Sequence, residues 1–249
     1  MLYRLKQQVL ASPFLRNLND MRYTRMTLEY DPADLTPEYY ERIKHITELE
    51  HQIGRLQNFR AIIQDIAGKD IKGDFIEFGT WRGFSLLWTA YFCQRAALFD
   101  RAIIGVDGFV GLPNSDGDFR LGQFSDVTRK ICEHNLRAAT ELYGQIKARI
   151  AIHEALFDDA RKMRPILAGK KFAFVHIDCD IGSAAFTLFR RIQETDCLAD
   201  TCYLLFDDYG CESSLRSVVD KELRALEPHW SITPHSSTKL TKNVRLNRK

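Results

Sequence analysis

Residues 73–85 read GDFIEFGTWRGFS: an apolar run broken by Glu77, a turn with glycines at 79 and 83, then the opening of a helical stretch. A strand that passes to a helix through a glycine turn marks a sheet that binds its ligand beyond the carboxyl ends of its strands. Phosphate is a poor occupant for this turn. A dinucleotide fingerprint needs G-x-G-x-x-G so that backbone can approach a doubly charged pyrophosphate. Here Trp81 stands two residues after Gly79, and Glu77 adds negative charge.

Outward from this stretch the alternation repeats. The β-prone runs FIEF (75–78), AIIGVD (102–107), RIAIHE (149–154), FAFVHID (172–178) and CYLLFD (202–207) are separated by helical stretches over 85–95, 128–142, 184–193 and 215–226. Such alternation implies right-handed crossovers and predicts an α/β fold with a doubly wound, mostly parallel, Rossmann-like sheet. WSITPH and KLTKNVRL near the end predict a C-terminal antiparallel hairpin. Upstream, Ile43, Ile46, Leu49, Ile53, Leu56, Phe59, Ile62, Ile63 and Ile66 recur at three and four residues, the mark of one broken or two consecutive amphipathic helices over 37–67. Residues before about 34 show no sustained periodicity. The expected organisation is an N-terminal arm and helical extension over 1–68 and one ligand-binding domain over 69–249.

The bulk properties exclude some partners. Among 249 residues, 35 basic and 33 acidic side chains leave a net charge of +2, so no strong field points to nucleic acid or a membrane surface. The basic residues after Ser237 (Lys239, Lys242, Arg245, Arg248, Lys249) read as a solvated end. Six scattered cysteines, without a C-x-x-C pair, read as small core hydrophobes in a reducing compartment. No signal-peptide core and no membrane-length apolar run is present, so a cytoplasmic location is expected. The helices over 37–67 supply either a cover for one sheet edge or a lid or homo-oligomer contact.

Every expected strand ends at or beside a carboxylate: Glu77, Asp107, Glu154, Asp178 and Asp207, with Asp180 and Asp208 just beyond. Helix capping accounts for one or two such acids but not for the whole row. A cationic ligand suits them. S-adenosylmethionine carries a sulfonium and an α-ammonium group; Glu77 can accept from the ammonium, the Gly79 backbone can come close, and Asp107 can accept from both ribose hydroxyls. Thr80 belongs to the same turn, and Trp81 either shapes it or packs the sheet. HIDCD (176–180) and FDDYG (206–210) bring Asp178, Asp207 and Asp208 to one rim as hard oxygen donors, the chemistry of Mg²⁺ or a similar divalent cation. Without a cation, mutual repulsion would raise at least one of their pKa values. His176 reads as a sheet-packed histidine, and Arg82 as a solvent-facing one.

GDFIEFGTWRG, IGVDGFVGLP, HIDCD and FDDYG, in this order, resemble the macrocin O-methyltransferase (TylF-type) family of class I, S-adenosylmethionine-dependent sugar methyltransferases, over roughly residues 51–226. The resemblance implies that Glu77, Gly79 and Ser85 line the methionine end of the cofactor and that Asp107 and Phe109 hold the ribose and adenine side, with Phe157, Asp158 and Asp159 nearby. It implies that Asp178, Asp207 and Asp208 bind Mg²⁺ and that Asp180 is the general base for a small hydroxylated or glycosylated acceptor. After the second aspartate the family pattern runs leucine, tyrosine, an acid, serine; this chain has Ile181, Gly182, Ser183 and Ala184. Two rival readings stand beside it: a non-catalytic relative that binds the cofactor, and an NAD(P)-dependent oxidoreductase, which Trp81 and Glu77 disfavour.

Overall fold

The computed structural model describes residues 47–143, 149–211 and 213–249; the arm and the start of the expected helical extension lie outside them. Helices are α1 (Thr47–Gly68), α2 (Phe84–Arg95), α3 (Arg129–Tyr143), α4 (Ala160–Leu167), α5 (Gly182–Thr195) and α6 (Leu215–Leu226). Strands are β1 (Asp74–Phe78), β2 (Ala102–Asp107), β3 (Arg149–Glu154), β4 (Phe172–Ile177), β5 (Leu198–Phe206), β6 (Trp230–Pro234) and β7 (Lys242–Arg248). They form one sheet in the order β3-β2-β1-β4-β5-β7-β6. The first five strands are parallel, and β7 runs antiparallel to both β5 and β6. The expected Rossmann-like sheet and C-terminal hairpin are both present.

The central strands are apolar runs because both of their faces are covered. All six residues of β4 are buried. On one face Ile76, Ile104, Val175 and Phe206 pack with α4, α5 and α6. On the other, Phe75, Ile103, Phe174 and Leu205 pack with Phe59, Ile62, Ile63 and Ile66 of α1 and with α2. Those four α1 side chains are fully buried, each stabilising the fold by about 1.5–3 kcal/mol relative to exposure. Strand alternation then dictates that Glu77, His176 and Asp207 project toward the α1 side, in phase with Phe75, Phe174 and Leu205.

Two elements differ from the sequence expectation. Strand β5 begins four residues before the CYLLFD run, because Thr201 pairs with Asn247 of β7 and Asp200 forms an ion pair with Arg248, which gives polar residues a place in the sheet. Helix α4 was hidden by Pro165 in an eight-residue stretch. The basic tail is likewise no loose end: it contains β7, with Lys242 paired to Asp220 at 2.5 Å and Arg248 to Asp196 at 2.7 Å. Five cysteines are buried and Cys211 half-buried, none in a disulfide. Among the described residues, no helix is long and apolar enough to cross a membrane.

Candidate active site

The turn after β1 is set by close approach. Gly79 has φ +91°, and a Cβ there would overlap the carbonyl oxygen of Asp178, so β1 and β4 can converge at this point only through glycine. Asp107, at the end of β2, accepts from Trp81 N–H at 2.8 Å and from Phe109 N–H at 2.6 Å. Burial raises its pKa, and the bonds from Phe109, Trp81 and Thr80 oppose the rise. The Trp81 ring shapes the loop after β2: its Nε1–H donates to Asp126 at 3.2 Å and it packs edge-on against Phe124. Arg82 forms an ion pair with Asp126 at 2.6 Å, which accounts for its charge without solvent. Trp81, Phe109, Asp180 and Asp208 all have φ between 43° and 61°. Left-handed backbone at four non-glycine positions around one rim is strain of the kind kept at functional sites.

Beyond β4 and β5 lies the acidic cluster, with counter-charges the sequence reading missed. Arg55 of α1 donates from Nη1 to Asp207 Oδ2 at 2.5 Å and to Asp178 Oδ2 at 3.2 Å. One turn earlier, His51 Nε2 lies 3.2 Å from Asp207 Oδ1. His176 Nδ1 meets Glu77 Oε2 at 2.9 Å, and its Nε2 lies 3.8 Å from Asp207 Oδ2. Burial alone would raise the Asp207 pKa, but Arg55, His176 and His51 outweigh it and hold this carboxyl far below the usual range. Burial would lower the His176 pKa, yet Asp207 and Glu77 raise it to about 9. For Asp178, Asp180 and Asp208, burial and repulsion from the neighbouring carboxylates outweigh the cations, and all three are pushed up.

A hard cation would relieve that repulsion. Three groups of side chains offer ligand atoms within 4.8 Å of one another: His51, Asp207 and Asp208; His176, Asp178 and Asp207; Asp178, Asp180 and Asp208. The acids shared between groups are Asp178, Asp207 and Asp208, the set expected from the sequence. Asp207 is already engaged by Arg55, but a carboxylate has about four lone-pair positions and can serve two cations at once. The donor set therefore fits a divalent metal.

All of these residues except His176 border one cleft of about 590 Å³. Gly79, Trp81, Asp107, Phe109, Asp178, Asp180, Asp207 and Asp208 line it. Four other expected residues do not. Glu77 and Thr80 are buried just behind the turn, where Glu77 Oε1 and the Thr80 hydroxyl have no hydrogen-bond partner. Ser85 is buried inside α2, and its carbonyl accepts from Thr89. Asp159 caps α4, accepting from Arg161 N–H and Lys162 N–H, so Phe157 and Asp158 reach the cleft in its place. His51 and Arg55 had one legible signal: they extend the buried stripe of Phe59, Ile62 and Ile66 toward the N-terminus at helical spacing, two polar residues on an otherwise apolar face.

Fold and rim together define a Rossmann-like domain with an acid-lined cleft, and the fold is shared with solved O-methyltransferases. The structure of the O-methyltransferase NovP superimposes with a TM-score of 0.62 at 19% identity, covering 79% of this chain and 80% of that one. The chain belongs to the macrocin O-methyltransferase (TylF) family, whose model matches residues 51–227. A demethyldecarbamoylnovobiocin O-methyltransferase of Streptomyces niveus is 22% identical over 175 residues, 68% of this chain and 65% of that protein. A tetracenomycin 4'-O-methyltransferase of Streptomyces olivaceus, whose substrate name includes a dimethoxy-α-L-rhamnosyl group, is also 22% identical, over 67% of this chain and 64% of that protein. The match thus spans somewhat less than two thirds of the length of these curated relatives.

Proposed function

We propose that this chain is an S-adenosylmethionine-dependent O-methyltransferase, assisted by Mg²⁺ or a similar hard divalent cation, that acts on a hydroxyl of a small acceptor, a sugar of a natural product or glycoconjugate. The observation that carries the reading is the single cleft in which the Gly79 turn, Asp107 and the acids beyond β4 and β5 meet, with room for a cofactor and a small acceptor together. The sugar-bearing acceptor rests on the relatives' names, one of which includes a rhamnosyl group.

The roles follow from position. Glu77 turns one oxygen to His176, and its unpaired Oε1, buried just behind the Gly79 turn, would accept from the cofactor's ammonium group through that turn or a bridging water. Asp107 would accept from ribose hydroxyls with its remaining lone pairs, and Phe109 would lie on the adenine side. Ser85 supports the turn from within α2, and Phe157 with Asp158 supplies the adenine-side wall expected of Asp159. Asp178, Asp207 and Asp208 would hold the cation. When bound, the cofactor supplies an electrophilic methyl group and the metal lowers the pKa of a chelated hydroxyl. Asp180, which lines the cleft beside Asp178 and Asp208, would take the proton from the acceptor. The rim would serve to position the acceptor oxygen near the transferred group, and such positioning is a large part of catalysis by displacement.

Isothermal titration of the purified protein with S-adenosylmethionine and with NADH, repeated on Glu77→Ala, tests the reading. Binding of the first alone, weakened by the substitution, supports it; NADH binding or no binding of either ligand overturns it.

A further inference from the structure

Helix α5 starts directly behind Asp180, and α6 starts a short turn after Asp208. The residues before them, Ile181 and Ser214, make no side-chain cap to their own helices. Asp116, from the middle of loop 108–128, serves both. Its Oδ2 accepts from Gly182 N–H at 3.0 Å and from the Ser214 hydroxyl at 2.8 Å, and its Oδ1 accepts from Ser214 N–H at 3.0 Å. A carboxylate that meets two helix N-termini is favoured by both dipoles and by charge-assisted bonds. These bonds from Gly182 and Ser214 outweigh burial and lower the Asp116 pKa.

Glycine at 182 is part of the arrangement. A Cβ there would overlap the Ser214 hydroxyl oxygen, so no larger side chain has room at this position. One residue on, Ser183 lies 3.4 Å from the side-chain amide of Asn114 in the same loop. The loop is itself braced as a hairpin: Leu112 N–H donates to Gln123 O and Gly122 N–H to Leu112 O, both at 2.9 Å, while Asp116 and Phe119 exchange two backbone bonds at 3.1 Å. Leu112, Asn114 and Phe119 of this braced flap border the cleft, opposite Ser183 and Thr187 of α5.

We propose that Asp116 is the positioning residue of the acceptor half of the cleft. It pins loop 108–128 across the starts of α5 and α6, so that the loop, rather than side chains at 182 and 183, forms the wall against which the acceptor rests. Asn114, Ser183 and Phe119, which line this part of the cleft, then set which acceptors fit. The acceptor role rests on the methyltransferase reading; the latch rests on hydrogen-bond geometry alone.

Hydrogen exchange at the Gly182 and Ser214 amides and trypsin cleavage after Arg120, in the loop, read the latch directly in the wild-type chain, Asp116→Asn and Ser214→Ala. The Asn variant keeps the shape but turns an N–H toward one donor. Exchange and cleavage should rise about tenfold or more in Asp116→Asn, the factor set by losing one charge-assisted bond, and less in Ser214→Ala. S-adenosylhomocysteine affinity should stay within about twofold of wild type, because the cofactor half is held by β1 and β2. With methyl α-L-rhamnoside as acceptor probe, Asp116→Asn should raise KM with little change in kcat. Unchanged amide protection in both variants would overturn the latch, and an unchanged KM would overturn its acceptor role. Failure of the wild-type chain to bind S-adenosylhomocysteine would instead overturn the methyltransferase reading, and the acceptor role with it.

Discussion

Glu77 and His176 are register partners on β1 and β4, and their side chains meet at 2.9 Å with 2% and 1% of their surfaces exposed. The contact fixes which oxygen of Glu77 is free. His176→Leu would leave a buried carboxylate unpaired, and the group would neutralise or turn rather than stay charged. Cofactor affinity in this variant should fall about tenfold or more, measured by titration with S-adenosylhomocysteine; an affinity equal to wild type would remove His176 from the site.

The same pair predicts a pH dependence. The folded pKa of His176, about 9, lies above the ordinary histidine value of 6.5, so the stability it contributes is fully present below about pH 6.5 and is lost as pH rises through about 9. Thermal melting of metal-free protein should therefore drop between pH 7 and 9.5 more steeply in wild type than in His176→Gln. Parallel curves would show that the imidazole is neutral throughout.

Arg55 is the hinge of the charge balance, since among the described residues it alone bonds to both Asp207 and Asp178. Arg55→Met leaves these acids facing each other, and breaking such a buried pair costs about 3–5 kcal/mol. Urea denaturation should show that loss in chelator, with part of it recovered in MgCl₂ if a cation can take over the neutralising role. A loss that Mg²⁺ does not touch would argue that the acids do not form its seat.

Asp180→Asn should separate base from ligand. As a base, Asp180 supplies about 10²–10⁴-fold in rate, so turnover should fall by that much while cofactor and Mn²⁺ titrations remain unchanged. A parallel loss of Mn²⁺ affinity would place Asp180 in the metal shell with Asp178 and Asp208, as their mutual proximity also allows.

The strand-end acids were legible in the sequence because parallel strands buried on both faces read as apolar runs, and the first charged residue after each run marks the rim. FAFVHID and CYLLFD are read this way, and so is the turn at Gly79. Asp159 misled because an acid before a helix serves the backbone amides of that helix as readily as a ligand, and here it does the former. Arg55 lies 152 residues from Asp207 in sequence, and only the packing of Phe59 against His176 and Phe174 brings its helix to the rim. Asp116 was invisible for a related reason: its three donors belong to two helices that pattern alone does not place side by side.

Strand β7 lies between β5 and β6, although it follows both in the chain. On the ribosome, the strand that ends at Asp207 and Asp208 must wait for residue 248 before its open edge is paired. At about 5–20 residues per second that wait lasts seconds, during which an apolar strand edge is bare. The half of the rim beyond β5 is therefore the last part of the cleft to be secured, and a nascent chain stalled after α6 would be an aggregation-prone client for chaperones with every strand-end acid already synthesised.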